Sequence, residues 1–225
     1  MSTTFISFLI TCKNEGHQLK NLIDVLIKHI DNNEIIILND FSSDETTCNL
    51  LETYRSLSHT LNIKVYDHAL NNNYSENKNY GKSLCNGEYI FQIDADELPS
   101  EILLVSLKDI LELNNDIDLF WIPRINDFTG VNVQNSAQWG WRLTPYEDRF
   151  IVNWPDPQGR LLKNIPSMKW ERRLHEKVEG AKTYVHLPYQ YELSLHNIKT
   201  IEKQIQTNIR YNKMFTEEEN RGFKV

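Results

Sequence analysis

The chain has 225 residues, of which 40% are hydrophobic and 24% are charged, enough apolar side chains for a substantial globular core. Its formal net charge of −7 opposes binding to a phosphate backbone, so no nucleic-acid partner is expected. Three widely spaced cysteines without a Cys-x-x-Cys pair indicate neither a disulfide framework nor a zinc site. No apolar stretch approaches the roughly 20 residues that cross a bilayer. We therefore expect a cytoplasmic protein without a transmembrane segment.

The first hundred residues alternate short apolar runs with helical patterns. Buried strands are predicted at residues 5–10, 34–38, 63–66 and 88–94. Apolar residues recur at spacings of three and four after each run, which predicts a helix between successive strands. Strands joined in this way require right-handed crossovers. The pattern therefore predicts an α/β fold with a mostly parallel central sheet and helices on both faces.

The second half of the chain is less regular. A helix is predicted from Ser100 and a strand over 118–125, whereas residues 126–190 predict short strands and long loops. Ile198 and the isoleucines that follow it predict a final amphipathic helix. We expect a single domain over 1–215, made of a first half (1–100) and a second half (101–215). A charged, frayed tail (216–225) is expected to follow it.

Polar segments follow the predicted strands directly. In open parallel sheets, ligands bind beyond the carboxyl ends of the strands. This rule brings together the segments 11–15, 39–42 and 94–97 and the loop before Ser75. One polar crevice is therefore predicted at this edge of the sheet.

Two carboxylates stand at the end of the fourth strand. If the strand continues, Asp94 and Asp96 point the same way, about 6 to 7 Å apart. Such a pair is explained if a hard divalent cation such as Mg²⁺ or Mn²⁺ lies near both. In the alternative interpretation, Asp96 and Glu97 cap the next helix and Asp94 is solvated.

Four segments carry a combined motif, namely TCKNE at 11–15, NDFSSDET at 39–46, NKN at 77–79 and DADE at 94–97. In order and separation they resemble family 2 glycosyltransferases of the GT-A fold. The resemblance covers about the first 100 residues. It implies that the half 1–100 binds a nucleotide sugar and that the half 101–215 binds the acceptor. Farther on, Leu174-His175-Glu176 and Leu195-His196 resemble the pattern in the branch that adds glucose or heptose to lipopolysaccharide cores.

The resemblance implies a binding site for the nucleoside of a UDP-sugar. It assigns Thr11, Asn14, Glu15 and Asp40 to this site. The chemistry of Asp40 suits the role, because a carboxylate accepts a hydrogen bond from the N3 proton of uracil. The alternative for Asp40 is an N-cap or turn residue.

The resemblance also implies residues for the diphosphate and the metal ion. Lys78 would approach the diphosphate as a point charge, with a solvated helix face as the alternative. Asp94 would contact the ribose or a metal-bound water. Asp96 and His196 would hold the metal, and an imidazole ligand favours Mn²⁺ over Mg²⁺. His196 is otherwise a half-buried packing residue, and Arg160 would either clamp a phosphate or pair with an acid.

Glu176 matches the catalytic acid position of the family. A carboxylate there would take the proton of the acceptor hydroxyl as a general base, in a direct displacement that inverts the anomeric centre. An ion pair with Arg172 or Arg173 is the alternative for Glu176. Three further acids compete for the role of base, namely Glu147, Asp148 and Glu171.

The predicted function is a metal-dependent inverting glycosyltransferase that uses a UDP-sugar, with UDP-glucose as the expected donor. The expected acceptor is a glycan or a lipid-linked sugar, and the half expected to bind it contains Trp139, Trp141, Trp154 and Trp170. An exposed tryptophan there would stack on a sugar ring. Each tryptophan taken alone is better explained as a core residue. Two alternatives stay open. One is a carbohydrate- or nucleotide-binding module without turnover. The other is a sugar-nucleotide nucleotidyltransferase, although 11–15 lacks the glycine-rich basic loop of that class.

Overall fold

The computed structural model describes residues 6–58, 60–216 and 219–220. The strands of this part are β1 (Ile6–Cys12), β2 (Glu34–Asn39), β3 (Ile63–Asp67), β4 (Tyr89–Asp94), β5 (Glu97–Pro99), β6 (Leu119–Ile122), β7 (Arg124–Thr129), β8 (Leu143–Tyr146), β9 (Arg149–Val152), β10 (Gln158–Lys163), β11 (Lys169–Glu171), β12 (Lys177–Glu179), β13 (Tyr184–His186) and β14 (Leu195–Thr200). The α-helices are α1 (Gly16–Leu26), α2 (Glu45–Ser56), α3 (Tyr74–Leu84), α4 (Glu101–Leu113), α5 (Val133–Trp139) and α6 (Ile201–Met214).

The central sheet confirms the predicted α/β fold. Its strand order is β13-β6-β10-β4-β1-β2-β3. Four of its six strand pairings are parallel, and only β10 runs antiparallel to its two neighbours. The carboxyl ends of β1, β2 and β4 therefore lie side by side at one edge.

Alternate residues of β1 pack on opposite faces of the sheet. Phe8 and Ile10 belong to the larger hydrophobic cluster, which includes leucines of α1 and α4. Leu9 belongs to a second cluster on the other face, together with Trp170. Helices thus cover both faces, as the near-continuous apolar strands predicted.

A glycine lets α3 approach the sheet closely. A Cβ atom on Gly81 would lie 2.6 Å from the Cδ1 atoms of both Leu9 and Leu38, closer than carbon atoms pack. Lys78 precedes Gly81 by three residues and therefore lies on the same face of the helix. The close approach of α3 brings Lys78 to the strand ends.

A second sheet has the order β5-β14-β7-β9-β8. Its first strand, β5, starts at Glu97, directly after the short turn that follows β4. Within this sheet β14 runs parallel to β7 and antiparallel to β5. The short strands predicted over 126–190 are present, together with the short helix α5.

The predicted start of the last helix was wrong. Ile198 lies in β14 and is half exposed, and α6 begins at Ile201 behind Thr200, whose side chain caps the helix. The N-cap of α2 is Asp44, because the Asp44 carboxylate accepts the Thr47 N–H at 2.8 Å.

Some predictions receive no test from this structure. Phe5 and most of the tail, at 217–218 and 221–225, lie outside the described residues. A single domain over 1–215 stays a prediction. In the part of the chain that is described, no helix has the length and apolar character needed to span a membrane.

Candidate active site

A cleft of about 520 Å³ lies at the carboxyl ends of β1, β2 and β4. The polar segments that follow these strands form one wall, as predicted from the strand-end rule. Residues of β7, β9 and β14 in the second sheet form the opposite wall. The cleft is lined by all the predicted site residues except His196, namely Thr11, Asn14, Glu15, Asp40, Lys78, Asp94, Asp96, Arg160 and Glu176.

Asn14 joins the loop after β1 to the loop after β2. Its φ of 55° is in the left-handed region, which asparagine tolerates better than most residues. Its N–H donates to the Ser42 hydroxyl at 2.9 Å, and its side-chain oxygen accepts the Ser43 N–H at 2.8 Å. Asn14 therefore fixes the relative position of two loops that line the cleft.

Asp40 lies on the same wall. Its carboxylate accepts the Leu70 N–H at 2.9 Å and forms an ion pair with Lys13 at 2.7 Å. The helix cap at this point is Asp44, so capping does not explain Asp40. Asp40 is instead held in place by its neighbours with its carboxylate at the cleft.

Lys78 is buried, with 3% of its surface exposed, which rules out a solvated helix face. Its ammonium group donates to Gln92 Oε1 at 3.1 Å and to the carboxylate of Glu176. Asp94 Oδ1 lies 3.8 Å from the same ammonium. A single buried cation thus connects the acid at the end of β4 to Glu176.

Asp94, at the end of β4, lines the cleft. Arg160 donates to Asp94 Oδ2 at 2.7 Å, and the Thr11 hydroxyl donates to Asp94 Oδ1 at 3.1 Å. Burial alone would raise the pKa of Asp94, but Arg160 and Lys78 outweigh burial and hold that pKa well below its usual range. Asp94 is therefore ionised at physiological pH.

The second acid of the pair, Asp96, has different partners. Because β4 ends at Asp94, Asp96 lies in the following turn, and the strand geometry that predicted a shared direction does not reach it. Lys203 of α6 lies 3.8 Å from Asp96 Oδ2 and 3.2 Å from Glu15 Oε1. Burial and the negative charge of Asp96 raise the pKa of Glu15, and Lys203 opposes this rise. The repulsion between Asp94 and Asp96 is thus offset by separate cations, Arg160 and Lys78 at Asp94 and Lys203 at Asp96.

Glu97 and Arg124 were not predicted as site residues. Glu97 is 1% exposed, and its Oε1 accepts from Arg160 at 2.7 Å and from Arg124 at 3.0 Å. Arg124 also donates to Asp156 Oδ2 at 2.7 Å. A signal was present in the sequence, because Arg124 and Arg160 interrupt apolar strands and a buried cation needs an acid partner.

His196 does not line the cleft, unlike the other predicted site residues, and its place in a metal shell stays a prediction. Side chains alternate along β14, and its neighbours Asn197 and Lys199 line the cleft. His196 faces the other side, where burial lowers its pKa and the charge of Asp127 opposes that effect. Its packing alternative fits the structure. Within the described part of the chain, no three His, Cys, Asp or Glu side chains come together to hold a metal ion.

Glu176 lies in the segment between β11 and β12 and lines the cleft. Its carboxylate accepts from Lys78, whereas Arg173 pairs with Glu219. Burial would raise the pKa of Glu176, but Lys78 lowers it below its ordinary value. The competing acids have other partners and do not line the cleft, since Glu147 and Asp148 pair with Arg149 and Glu171 pairs with Lys169.

The four predicted tryptophans lie in different environments. Trp170 is 3% exposed and packs in the second hydrophobic cluster, so it is a core residue. Trp154 packs on the ring of Tyr191, with centroids 4.6 Å apart. Trp141 lines the cleft, and Trp139 packs beside it at 4.6 Å. Only Trp141 of these four lines the described cleft.

The mostly parallel sheet, with a charged cleft beyond its strand ends, defines a GT-A type α/β fold. The chain belongs to glycosyl transferase family 2, because the model of that family, "Glycosyl transferase family 2", matches residues 7–173. No curated protein matches the chain.

Solved structures of S. aureus TarS share the fold. TarS 1-349 in complex with UDP-GlcNAc has a TM-score of 0.60 and 14% identity, covering 87% of this chain and 58% of that chain. TarS 1-349 in complex with UDP has a TM-score of 0.59 and 15% identity, covering 91% and 63% respectively. The protein thus spans about 60% of the length of these TarS chains. Identities this low show a common fold and nothing finer.

Proposed function

We propose that the protein transfers a sugar from a UDP-sugar to a hydroxyl group of a glycan or lipid-linked acceptor, with inversion of the anomeric centre. The observation that carries the proposal is the cleft in which Asp40, Asp94, Asp96, Lys78 and Glu176 converge. Membership of glycosyl transferase family 2 supports sugar transfer. TarS, which shares the fold, has been solved with UDP and with UDP-GlcNAc, which supports a uridine nucleotide.

The nucleoside would bind against the loops after β1 and β2, at Thr11, Asn14, Glu15 and Asp40. Asp40 is positioned by Lys13 and the Leu70 N–H. Carboxylate oxygens have further lone pairs, so Asp40 can accept the N3 proton of uracil. Cytosine has a lone pair at N3 in place of that proton and offers the carboxylate no donor there, which favours uracil over cytosine.

The diphosphate would lie above Asp94, Asp96 and Lys78. Asp96 would hold a divalent cation, Mn²⁺ or Mg²⁺, in place of the Lys203 ammonium, which lies 3.8 Å from Asp96 Oδ2 and 3.2 Å from Glu15 Oε1 and marks a position for positive charge. Such ions are held by one or two carboxylates together with phosphate oxygens and water, so a protein cage is not required. When bound, the cation stabilises negative charge on the diphosphate. Lys78 would stabilise the same charge, and Arg160 positions Asp94 and Glu97.

Glu176 would accept the proton of the acceptor hydroxyl. Its lowered pKa keeps the carboxylate ionised at neutral pH, which a base requires. Its contact with Lys78 places the base next to the charge that stabilises the leaving group. One ion pair thus connects the acceptor side of the reaction to the donor side.

The finer expectations also belong to this proposal. UDP-glucose is the expected donor, and UDP-GlcNAc is included in the test because TarS binds it. The acceptor expected from the resemblance is a lipopolysaccharide core sugar. The cytoplasm is the expected compartment, consistent with three free cysteines.

The proposal is tested by thermal unfolding with UDP, CDP, GDP and ADP, each with and without Mn²⁺. UDP with Mn²⁺ is expected to raise the Tm most, because a ligand at 100 times its Kd adds about 2.7 kcal/mol of stability. Asp96→Asn is expected to abolish the Mn²⁺-dependent part of the shift. The matched control is Asp148→Asn, an exposed acid outside the cleft.

Release of UDP from UDP-glucose and UDP-GlcNAc separates the alternatives. Metal-dependent release that is lost in Asp96→Asn supports the transferase. Binding of UDP without release from any donor and acceptor favours a binding module. Pyrophosphate-dependent formation of a sugar nucleotide favours the nucleotidyltransferase. A protein that binds no uridine nucleotide contradicts the proposal.

A further inference from the structure

The wall of the cleft formed by the second sheet combines aromatic rings with a lysine. Lys199 of β14 is paired in register with Phe128 of β7. The Lys199 ammonium lies 5.0 Å from the centroid of the Phe128 ring, and the ring of Trp141 lies 5.5 Å from the same ring. All three residues line the cleft. This wall therefore offers apolar ring surface and a positive charge at one place.

Lys199 differs from the other lysines of the cleft in its partners. Lys13, Lys78 and Lys203 each pair with a carboxylate. Among the described residues, no carboxylate oxygen lies within 4.0 Å of the Lys199 ammonium. The acids whose charge acts on it, Asp96 and Glu97, have other cationic partners, since Lys203 lies near Asp96 and both Arg124 and Arg160 pair with Glu97.

A half-buried ammonium without an acid partner is costly. Burial lowers the pKa of Lys199, and the more distant negative charge of Asp96 only opposes that effect. Ring contact with Phe128 compensates part of the lost hydration. An anion bound in the cleft would compensate the remainder.

We propose that Lys199, Phe128 and Trp141 form an acceptor subsite for a sugar that carries an anionic group, a phosphate ester or a carboxylate. The proposal rests on the proposed glycosyltransferase function and names its acceptor class. The rings contact the apolar C–H face of the sugar, and Lys199 pairs with the anionic substituent.

The position of Lys199 favours the acceptor over the diphosphate of the donor. The nucleotide-binding loops follow β1, β2 and β4 of the central sheet, whereas Lys199 lies in the second sheet beside Phe128. Lys78 already supplies a cation on the donor side. If Lys199 instead contacted the diphosphate, its replacement would weaken the binding of UDP.

The test is calorimetric titration of the full chain with glucose, glucose 6-phosphate and glucuronic acid, in the presence and absence of UDP with Mn²⁺. The wild-type protein is expected to bind at least one anionic sugar about tenfold more tightly than glucose, with a preference that weakens in high salt. The two anionic probes distinguish a phosphate ester from a carboxylate.

Variants of Lys199 assign the preference to this side chain. Lys199→Gln is expected to bind all three sugars as weakly as the wild type binds glucose. Its affinity for UDP should equal that of the wild type. Lys199→Arg keeps the positive charge and should keep the preference. Lys28→Gln, at an exposed lysine outside the cleft, should behave as the wild type.

Three outcomes would overturn the inference. The first is equal binding of neutral and anionic sugars by the wild type, including no binding of either. The second is an unchanged preference in Lys199→Gln. The third is a loss of UDP affinity in Lys199→Gln with no change in sugar binding, which would assign Lys199 to the donor diphosphate. The titrations without nucleotide test the subsite even if the protein binds no UDP, a result that would contradict the proposed function separately.

Discussion

The ion pair between Lys78 and Glu176 is the contact on which the proposed chemistry depends at the scale of single residues. Lys78 is buried, and its ammonium group lies between Glu176 and Asp94. Breaking such a pair leaves an uncompensated buried charge, so the two residues constrain each other. Because the pair keeps Glu176 ionised, the carboxylate can accept a proton but cannot donate one at neutral pH.

Glu176→Gln is expected to lower kcat by about 10²- to 10⁴-fold, because the amide cannot accept the proton of the acceptor hydroxyl. The Kd for UDP should change little, since Glu176 is not one of the residues proposed to hold the nucleoside. Single-turnover assays and UDP titration measure the two quantities. Glu171→Gln is the control, because Glu171 pairs with Lys169 outside the cleft. Wild-type kcat in Glu176→Gln would contradict the role of general base.

The sequence predicted those cleft residues whose position follows from a local pattern in a single segment. Asp40, Asp94 and Asp96 each follow a recognisable apolar strand, and the structure brings all three to the cleft. The ion pairs of Arg160 with Asp94 and Glu97 join segments more than 60 positions apart, so no local pattern reports them. A sequence indicates that a buried arginine needs an acid, but not which acid.

The position of α3 relative to the sheet matters most at the scale of secondary structure elements. Gly81 allows this helix to pack against Leu9 and Leu38, and Lys78 reaches the cleft from the same helix face. The helix also begins with a capped turn, because Asn73 accepts the Glu76 N–H at 3.1 Å. The cap at Asn73 and the close packing at Gly81 together fix the position of α3.

Gly81→Ala is expected to destabilise the protein by about 1 to 3 kcal/mol, because the added methyl group overlaps two buried leucines. The same change should weaken UDP binding by moving Lys78. Urea denaturation and UDP titration provide the two measurements. Ser83→Ala, at an exposed position of the same helix, should stay within about 0.5 kcal/mol of the wild type. Equal stability of the two variants would show that α3 does not need this close approach.

Periodicity predicted the helices of the first half well and failed at the start of α6. Ile198, Ile201 and Ile205 have helical spacing, yet Ile198 belongs to β14. The strand ends at Thr200, whose hydroxyl accepts the Lys203 N–H at 3.2 Å. Thr200 followed by Glu202 is the sequence signal for this boundary. The strand that ends there turns the side chain of His196 away from the cleft.

At the scale of the whole molecule, a second buried network stabilises the opposite edge of the central sheet. Glu34 is 1% exposed and accepts from Ser7 at 2.7 Å, from the Asn86 N–H at 2.6 Å and from Lys64 at 2.9 Å. Burial alone would raise the pKa of Glu34, but these hydrogen bonds lower it below its ordinary value of 4.5. The folded state therefore favours the ionised form.

Acid is expected to destabilise the fold through Glu34. Its contribution is present above pH 4.5, the ordinary pKa, and is lost as the pH falls through the lower pKa of the folded state. Glu34→Gln should lose about 1 to 3 kcal/mol at pH 7 and show a shallower loss of stability below pH 4.5. Urea denaturation over a pH series from acid to neutral measures this, with the exposed Glu52→Gln as control. Parallel pH profiles for Glu34→Gln and the wild type would contradict the expectation.

The turn between β4 and β5 has a mechanical consequence. The chain leaves the central sheet at Asp94 and enters the second sheet at Glu97, so both walls of the cleft meet at this turn. Arg160 holds the two ends of the turn together by contacting both acids. Any rotation of one wall relative to the other has its hinge at this turn. Asp94 and Asp96 lie in or next to the turn and therefore move least during such a rotation.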